Sequence, residues 1–384
     1  MHPDGAPRVG IVGGGQLARM SAAPAAALGI DFRVLASAPD ESAAQVIRDV
    51  VIGRHDDIDA LRRLAQGCAV VTFDHEHVPP AHLEQLEAMG VAVRPGPAAL
   101  FHAQDKVHMR QALTSIGVPC PRWRVVEALD HAEEFADVVG WPVVLKTSRG
   151  GYDGRGVWVV AGAQEAADVL SIPLAAGAQW LAEERIDFVQ ELSAQVARSP
   201  HDQAVAYPVV RTVQANGICS EVVAPAPGLA AERAVEAQEL ALRIARDLNV
   251  TGMLAVELFD DGSRLFVNEL AMRPHNSGHW TIEGARTSQF ENHLRAVLDL
   301  PLGSPAPVAP YAVMVNILGG DVPDLYSAYR HVLARDPGVK VHLYGKQVRP
   351  GRKVGHVTVL GEDLDDLLAR GRHAADYFAG VIDE

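Results

Sequence analysis

The chain has 384 residues, of which 48% are hydrophobic and 21% charged, a composition typical of globular enzymes and a length typical of two or three domains. Its 34 basic and 48 acidic residues give a net charge of −14, which argues against nucleic acid or an anionic membrane as the main partner. Three cysteines without a C-x-x-C pair, and a sequence without a long apolar run or a basic leader, lead us to expect a cytoplasmic protein.

A glycine-rich turn follows the first predicted strand. The short apolar strand 8–12 runs into Gly-Gly-Gly-Gln-Leu-Ala at 13–18, and a second strand is predicted at 31–35 after an alanine-rich helix. This order brings backbone amides to a helix N-terminus, where an anion can bind. Because the second strand ends without an acid for a ribose, we expect a ligand other than a nicotinamide dinucleotide.

A polar cluster, Asp-His-Glu-His at 74–77, follows the strand predicted at 69–73. Ligands of open α/β sheets collect at the carboxyl ends of strands, so the cluster is a candidate binding site. The alternative is a helix-capping loop ahead of the two prolines at 79 and 80.

A helix is predicted to begin near 104, because Met109, Leu113 and Ile116 follow the helical period. Lys106 lies in its first turn, where the helix dipole disfavours a cation. The lysine is therefore either solvated or in contact with a bound anion.

A second glycine-rich segment lies between two predicted strands, one ending at Lys146 and one running from 157 to 160. Residues 149–156 contain four glycines and three charges. Such a flap can fold its amides over a polyphosphate while the lysine supplies a point charge. The alternative is an ordinary long hairpin loop. Downstream, residues 180–191 are predicted to form a strand that enters an acidic connector, which could offer backbone groups to a base and Glu191 to sugar hydroxyls.

Two short β-type runs, 254–259 and 265–269, flank an Asp-Asp-Gly turn and predict an antiparallel hairpin. Each run carries one acid, Glu257 or Glu269, and a carboxylate in an apolar strand is costly to bury without a cation. We therefore expect the two acids to share a cation, and oxygen ligands without thiolates favour Mg²⁺. The alternative is a pair of strand-end glutamates that face solvent.

The segment 268–283 is the richest in functional side chains. It sets two carboxylates, one arginine, two histidines and two asparagines within sixteen residues, a mixture that few solvated loops need. Further along, the β-rich region after about 301 carries five cations or near-cations within 344–356. In a chain of this negative charge, a local anion site is favoured there over a solvated hairpin tip.

The order of these parts resembles the ATP-grasp superfamily. The finer motifs, at 13–17, 152–156, 268–279, 287–291 and 351–356, are similar to those of the N5-carboxyaminoimidazole ribonucleotide synthetase family, the ATP-dependent subunit of purine-pathway carboxylation. The similarity spans nearly the whole chain, from about 8 to 360, and the Arg-Pro-His-Asn-Ser-Gly-His block at 273–279 is its most specific part.

The resemblance implies a mixed α/β and α+β architecture with an ATP-grasp fold. We expect a Rossmann-like preATP-grasp domain at 1–102, an ATP-grasp domain at 103–300 with a flap subdomain at about 125–187, and a small β-rich domain at 301–384. A homodimer is also implied.

The resemblance also implies ligand contacts. ATP would contact Lys106, Lys146, Gly151, Tyr152, Asp153, Gly154, Arg155, Gly156, Val157, Glu183, Glu184, Arg185, Ile186, Glu191, Asn268 and Glu269. Mg²⁺, with Mn²⁺ as an alternative, would be held by Glu257, Glu269 and Asn268. The aminoimidazole ribonucleotide would lie on Gly14, Gly15, Gln16 and Leu17, with Glu76 on its ribose and Lys346, Arg352 and Lys353 on its phosphate. The catalytic residues around bicarbonate and the reacting amine would be Arg273, Tyr152, Asp153, Arg155 and His275.

One position departs from the family pattern. Near 211–217 the family usually carries a histidine that approaches the nucleotide, whereas this chain has Gln214. Glutamine can still form hydrogen bonds to ATP but cannot carry a charge.

The chemistry implied is phosphoryl transfer from ATP to bicarbonate, which gives carboxyphosphate. The substrate's exocyclic amine then attacks the activated carbon, or CO₂ released from it, and the product passes to a separate mutase. Asp153 and His275 are both candidates to accept the amine proton. Two alternatives remain: an ATP-grasp ligase for a different acid, and a non-catalytic nucleotide-binding or redox module built on the N-terminal unit.

Overall fold

The structure is a computed structural model that describes residues 5–151, 155–215 and 217–382. Its first part is built on five strands: β1 (Arg8–Val12), β2 (Asp31–Ala36), β3 (Asp49–Ile52), β4 (Val70–Phe73) and β5 (Ala92–Val93). They form a parallel sheet in the order β3-β2-β1-β4-β5. The helices of this part are α1 (Gln16–Ala27), α2 (Ile58–Ala65) and α3 (Pro80–Ala88). Since β1 and β4 are neighbours, the glycine-rich turn after β1 and the polar cluster after β4 meet at one sheet edge.

Two helices, α4 (Pro97–Gln104) and α5 (Lys106–Ser115), lead out of this sheet. Asp105 caps α5 by accepting a hydrogen bond from the His108 backbone N–H at 3.1 Å. Lys106 and Arg110 are four residues apart on α5 and therefore lie on one face of the helix.

The next part is a four-stranded antiparallel sheet. Its elements are β6 (Trp123–Val126), α6 (Leu129–Val139), β7 (Val143–Thr147), β8 (Val157–Val160), α7 (Ala163–Leu170) and β9 (Trp180–Glu184). The strand order is β6-β9-β7-β8, which confirms the predicted strands on both sides of the glycine-rich segment. Tyr152, Asp153 and Gly154 of that segment lie outside the described residues.

The rest of the chain is organised by one large antiparallel sheet. Its strands are β10 (Gln190–Arg198), β11 (Ala204–Ala206), β12 (Val210–Ala215), β13 (Ile218–Ala224), β14 (Gly252–Asp260), β15 (Leu265–Ala271), β16 (Tyr311–Leu318), β17 (Lys340–Leu343) and β18 (Lys353–Gly361). The order is β15-β14-β10-β12-β13-β16-β18-β17, with β11 paired to β10. Because β16 pairs with β13, the sheet continues without a break past residue 300.

Five helices accompany this sheet: α8 (Ala231–Asp247), α9 (Thr281–Gly284), α10 (Gln289–Val297), α11 (Tyr329–Arg335) and α12 (Leu364–Ala379). The largest apolar core contains Phe73 of the parallel sheet, Leu113 of α5, Ile244 of α8 and Leu258 of β14, so it spans both sheets. Within the described residues, none of the helices combines the length and apolarity that crossing a membrane would require.

The predicted hairpin is confirmed. Strands β14 and β15 pair antiparallel, and Glu257 lies directly opposite Glu269 in the register, next to an irregularity between Glu257 and Leu258. Residues directly opposite in such a pair have Cβ atoms about 4.5–5.5 Å apart. The two carboxylates therefore share one face of the hairpin.

Candidate active site

The carboxylates of the hairpin are only partly exposed and are contacted from two sides. The side chains of Glu257 and Glu269 are 28% and 45% exposed, which leaves both within reach of a ligand. Lys106 Nζ pairs with Glu269 Oε1, so the anion contacted by this helix-start lysine belongs to the protein itself. His275 Nε2 lies 3.5 Å from Glu257 Oε1.

A buried ionic network lies behind the hairpin. Arg110 is fully buried, donates to Glu183 Oε1 at 2.6 Å, and donates to the carbonyls of Val267 at 3.0 Å and Asn268 at 2.8 Å. Lys146 Nζ lies 2.7 Å from Glu183 Oε2 and donates to Asn268 Oδ1 at 3.1 Å. Glu183 thus joins the interior network through its side chain. Arg110 is absent from the sequence-based predictions, although its spacing of four from Lys106 was a usable signal.

These charges set the protonation of the acids. Burial raises the pKa of Glu257 to about 7, and the charges of Glu269 and Glu191 act in the same direction. Burial also acts to raise the pKa of Glu269, but the charge and hydrogen bond of Lys106 outweigh it and hold that pKa below its usual value. Burial raises the pKa of Glu191 to about 6. Glu269 and Glu191 therefore act on Glu257 in one direction, while Lys353 and Lys106 act on it in the other.

The donor set of the hairpin suits a hard cation. Among the described residues, no group of three or more histidine, cysteine, aspartate and glutamate side chains is close enough to hold a metal alone. Mg²⁺ does not need such a group, because one or two carboxylates plus substrate phosphates and water complete its shell. Glu257 and Glu269, opposed and partly exposed, meet that requirement.

Arg273 and His275 stand where the two main sheets meet. Arg273 Nε donates to Glu76 Oε2 at 2.8 Å, which joins the block after β15 to the polar cluster after β4. Burial, followed by the charges of Arg273 and Lys353, lowers the pKa of His275 to about 3, so its ring is neutral. The structure therefore brings together Glu76, Arg273, His275 and Glu257, the residues that the resemblance assigns to substrate, bicarbonate and metal.

The glycine-rich turn after β1 already faces a carboxylate of the protein. The backbone N–H of Ala18 donates to Asp74 Oδ1 at 2.7 Å, and a Cβ atom on Gly15 would collide with the same carboxylate. Burial raises the pKa of Asp74 to about 6, against the pull of the Ala18 N–H and the charges of Arg273 and Lys346. The dipole of α1 is thus partly balanced by Asp74, which the sequence analysis named only as a member of the polar cluster at 74–77.

The three predicted phosphate cations lie in different surroundings. Lys346 Nζ donates to Gln16 Oε1 at the glycine-rich turn. Arg352 is exposed and donates to the Gln347 carbonyl at 3.2 Å. Lys353, at the start of β18, acts electrostatically on Glu257 and His275. Of the three, Lys346 is the one placed beside the turn predicted to bind the ribonucleotide.

Most of the remaining predicted nucleotide contacts lie in or next to the small sheet, and one, Gln214, lies in the large sheet. Gly151, Arg155, Gly156 and Val157 lie at the ends of the glycine-rich segment, where Val157 pairs with Lys146 across β7 and β8. Glu184 binds Arg122 through two hydrogen bonds of 2.8 Å, and Arg185 lies 3.4 Å from Asp187. Ile186 follows in the connector to β10. Gln214 is half-buried in β12, at a register shift opposite Cys219.

This chain is similar to known proteins over most of its length. Family descriptions match three consecutive stretches: a ribonucleotide synthetase preATP-grasp domain at 7–104, an ATP-grasp domain at 111–290, and a phosphoribosylaminoimidazole carboxylase C-terminal domain at 312–370. The N5-carboxyaminoimidazole ribonucleotide synthase of Mycobacterium tuberculosis is 55% identical over 379 residues, which cover 97% of this chain and 88% of that protein. The chain belongs to the N5-carboxyaminoimidazole ribonucleotide synthase family. The fold class and the family expected from the sequence are both confirmed.

Solved structures of the family share the whole architecture. The synthetase from Thermus thermophilus aligns with a TM-score of 0.85 and 38% identity, covering 98% of this chain and 99% of that one. The synthase from Aspergillus clavatus in complex with ADP and 5-aminoimidazole ribonucleotide aligns with a TM-score of 0.88 and 32% identity, covering 97% and 98%.

We expect Glu183→Gln to lower the free energy of unfolding at pH 7 by about 3–5 kcal/mol, because it removes the charged partner of two buried cations. Arg110 and Lys146 outweigh the effect of burial and lower the pKa of Glu183 to about 2. The stabilisation is therefore complete above the unfolded-state pKa, near 4.5, and is lost as the pH falls towards 2. Denaturant unfolding of wild type and variant at pH 7, 4 and 3 measures this difference.

The matched control is Glu236→Gln, which removes an exposed partner of Arg233 on α8 and should change stability little. A difference between wild type and Glu183→Gln that stays constant from pH 7 to pH 3 would contradict the assignment.

Proposed function

We propose that this chain catalyses the ATP- and bicarbonate-dependent carboxylation of 5-aminoimidazole ribonucleotide to N5-carboxyaminoimidazole ribonucleotide in purine biosynthesis. The observation that carries the proposal is the joining of Glu76, Arg273, His275 and Glu257 at one place by contacts of 2.8 and 3.5 Å. These four residues come from three separate segments, and together they supply a ribose acceptor, two groups for an anion and a metal-binding acid.

In the first step the terminal phosphoryl group of ATP passes to bicarbonate and gives carboxyphosphate. Lys146, held by Glu183 and Asn268, places a fixed positive charge beside the phosphates. Mg²⁺, held by Glu257, Glu269 and Asn268 when bound, would neutralise the charge on the transferring oxygens. Preorganised charge of this kind is the main source of catalysis in phosphoryl transfer.

In the second step the exocyclic amine of the ribonucleotide attacks the activated carbon and phosphate leaves. Arg273 holds the bicarbonate-derived group. Its hydrogen bond to Glu76 links it to the residue that contacts the ribose. The segment around Tyr152, Asp153 and Arg155 would cover the site, because carboxyphosphate is destroyed by water.

Several finer assignments belong to this proposal. The ribonucleotide lies on the turn from Gly14 to Leu17, and Lys346, Arg352 and Lys353 contact its phosphate. The adenine lies against the connector at 183–186. The domain limits at 102 and 300, homodimerisation, a cytoplasmic location and transfer of the product to a separate mutase are inferred from family resemblance.

Phosphate release tests the reaction. Pure protein with Mg²⁺ and ATP should release phosphate rapidly only when bicarbonate and 5-aminoimidazole ribonucleotide are both present, and the release should match the ribonucleotide consumed. Rapid release with the ribonucleotide omitted, or release driven by a different acid, would contradict the proposal.

The metal assignment predicts that Glu257→Gln and Glu269→Gln each lower kcat/KM by about a hundredfold or more while the fold persists, because each removes a charged ligand. Steady-state phosphate release at saturating and limiting Mg²⁺ measures the effect, and Glu236→Gln is again the matched control. Near-wild-type turnover in either hairpin variant would rule out its role in metal binding.

The phosphate assignment predicts that Lys346→Ala raises the KM for the ribonucleotide by about tenfold and leaves the KM for ATP nearly unchanged, because a contact remote from the reacting atoms contributes uniform binding. Lys340→Ala, on the exposed start of β17, is the control. If both KM values rose equally, the basic segment would be assigned to the nucleotide instead.

A further inference from the structure

The main chain of His275 is held by a buried glutamine to which the proposed reaction assigns no role. Gln289, the first residue of α10, is fully buried. Its Oε1 accepts from the His275 backbone N–H at 2.9 Å, and its Nε2 donates to the His275 carbonyl at 2.8 Å. These are the two bonds that a neighbouring strand would supply, so His275 is fixed although it lies beyond the end of β15.

The ring of His275 is fixed through Nδ1. The backbone N–H of Ser277 donates to His275 Nδ1 at 3.4 Å, and Ser277 Oγ lies 2.8 Å from the same nitrogen. A backbone N–H can only donate, so Nδ1 accepts and carries no proton. In a neutral imidazole the single ring proton is then on Nε2.

The hydroxyl of Ser277 is oriented by residues of β10. Gln195 Nε2 donates to Ser277 Oγ at 2.8 Å, and Ser193 Oγ lies 2.8 Å from the same oxygen. All three side chains are almost completely buried. Since Ser193 can donate to Ser277, and Ser277 has one proton to give to His275, a chain from Ser193 through Ser277 to Nδ1 satisfies both hydroxyls and the ring nitrogen. Gln195 Oε1 is buried without a hydrogen-bond partner among the described residues.

Gly278 leaves room for this arrangement. A Cβ atom there would collide with the Gln289 amide and would lie 2.7 Å from Gln195 Oε1. The glycine of the Arg-Pro-His-Asn-Ser-Gly-His block is therefore explained by the close approach of two glutamines that hold the histidine.

The second ring nitrogen faces the hairpin acids. His275 Nε2 lies 3.5 Å from Glu257 Oε1. With Nδ1 occupied as an acceptor, Nε2 is the ring atom that can donate on this side.

We propose that Ser277, supported by Ser193 and Gln195, is a positioning residue that fixes His275 as the Nε2–H tautomer, so that the imidazole donates a hydrogen bond to a bicarbonate-derived oxygen. The identity of that oxygen rests on the proposed function. A nitrogen that already carries a proton cannot accept one from the substrate amine. His275 in this tautomer is therefore not the acceptor of the amine proton.

The tautomer can be observed directly. In protein with ¹⁵N-labelled histidine, two-bond ¹H–¹⁵N correlation spectra show which ring nitrogen is protonated, and the His275 signals are assigned by their loss in His275→Gln. We expect an unprotonated Nδ1 in the wild type and an increased Nδ1–H population in Ser277→Ala. Ser199→Ala, which removes a buried hydroxyl of the turn after β10, should leave the His275 signals unchanged. An Nδ1–H ring or a doubly protonated ring in the wild type would overturn the proposal.

Two substitutions separate a donor from a base. Glutamine places an N–H near the position of Nε2 but cannot accept a proton at neutral pH, so His275→Gln should keep kcat within about tenfold of the wild type. His275→Leu has no donor and should lose about 10²–10³-fold, as when one oxyanion donor is removed. Equal losses in the two variants would overturn the donor role.

Failure of the proposed function and failure of the His275 tautomer assignment give different experimental results. If the wild type shows no phosphate release dependent on both bicarbonate and the ribonucleotide, the proposed function is wrong, and the spectra still report the tautomer. If Ser277→Ala does not fold, the wild-type spectrum and the two His275 variants still decide the proposal.

Discussion

The guanidinium of Arg110 joins three parts of the chain: helix α5, strand β9 of the small sheet and strand β15 of the large sheet. A fully buried charge is tolerated only when its hydrogen bonds and its countercharge are supplied together. Glu183 provides the countercharge, and the carbonyls of Val267 and Asn268 provide the remaining acceptors. The helix and both sheets must therefore meet in one arrangement, which also sets Lys106 beside Glu269 and Lys146 beside Asn268.

Once these elements meet, charge is distributed unevenly along the hairpin. Glu269 is neutralised by Lys106, whereas Glu257 faces two other acids and a histidine that is neutral. Two opposed carboxylates at a partly exposed face supply the oxygen ligands that a hard cation prefers. Arg273 and Lys353 add positive charge beside them, which favours an anionic substrate in this part of an acidic protein.

Features that depend on neighbouring residues were predictable from the sequence. The β14–β15 hairpin followed from its two apolar β-type runs and the turn between them, and the glycine-rich turn followed from its position after an apolar strand.

Features that depend on distant partners could not be predicted from the sequence. The spacing from Lys106 places Arg110 on the same face of α5, but its partner Glu183 is 73 residues away, so the buried ion pair itself could not be predicted. Ser277 and Gln195 are 82 residues apart, so nothing local in either segment indicates their hydrogen bond. The long helix α12 was not predicted either, because the region after about 301 was expected to be β-rich.

The continuity of the large sheet past residue 300 has a consequence for how the protein is made. Strand β13 is completed well before its neighbour β16 leaves the ribosome, so the emerging chain presents β13 as an unpaired edge next to β12. Unpaired edges are templates for association with other chains. The order of synthesis thus leaves this strand open to association until β16 is made, and a chain cut short after residue 300 would keep that edge unpaired.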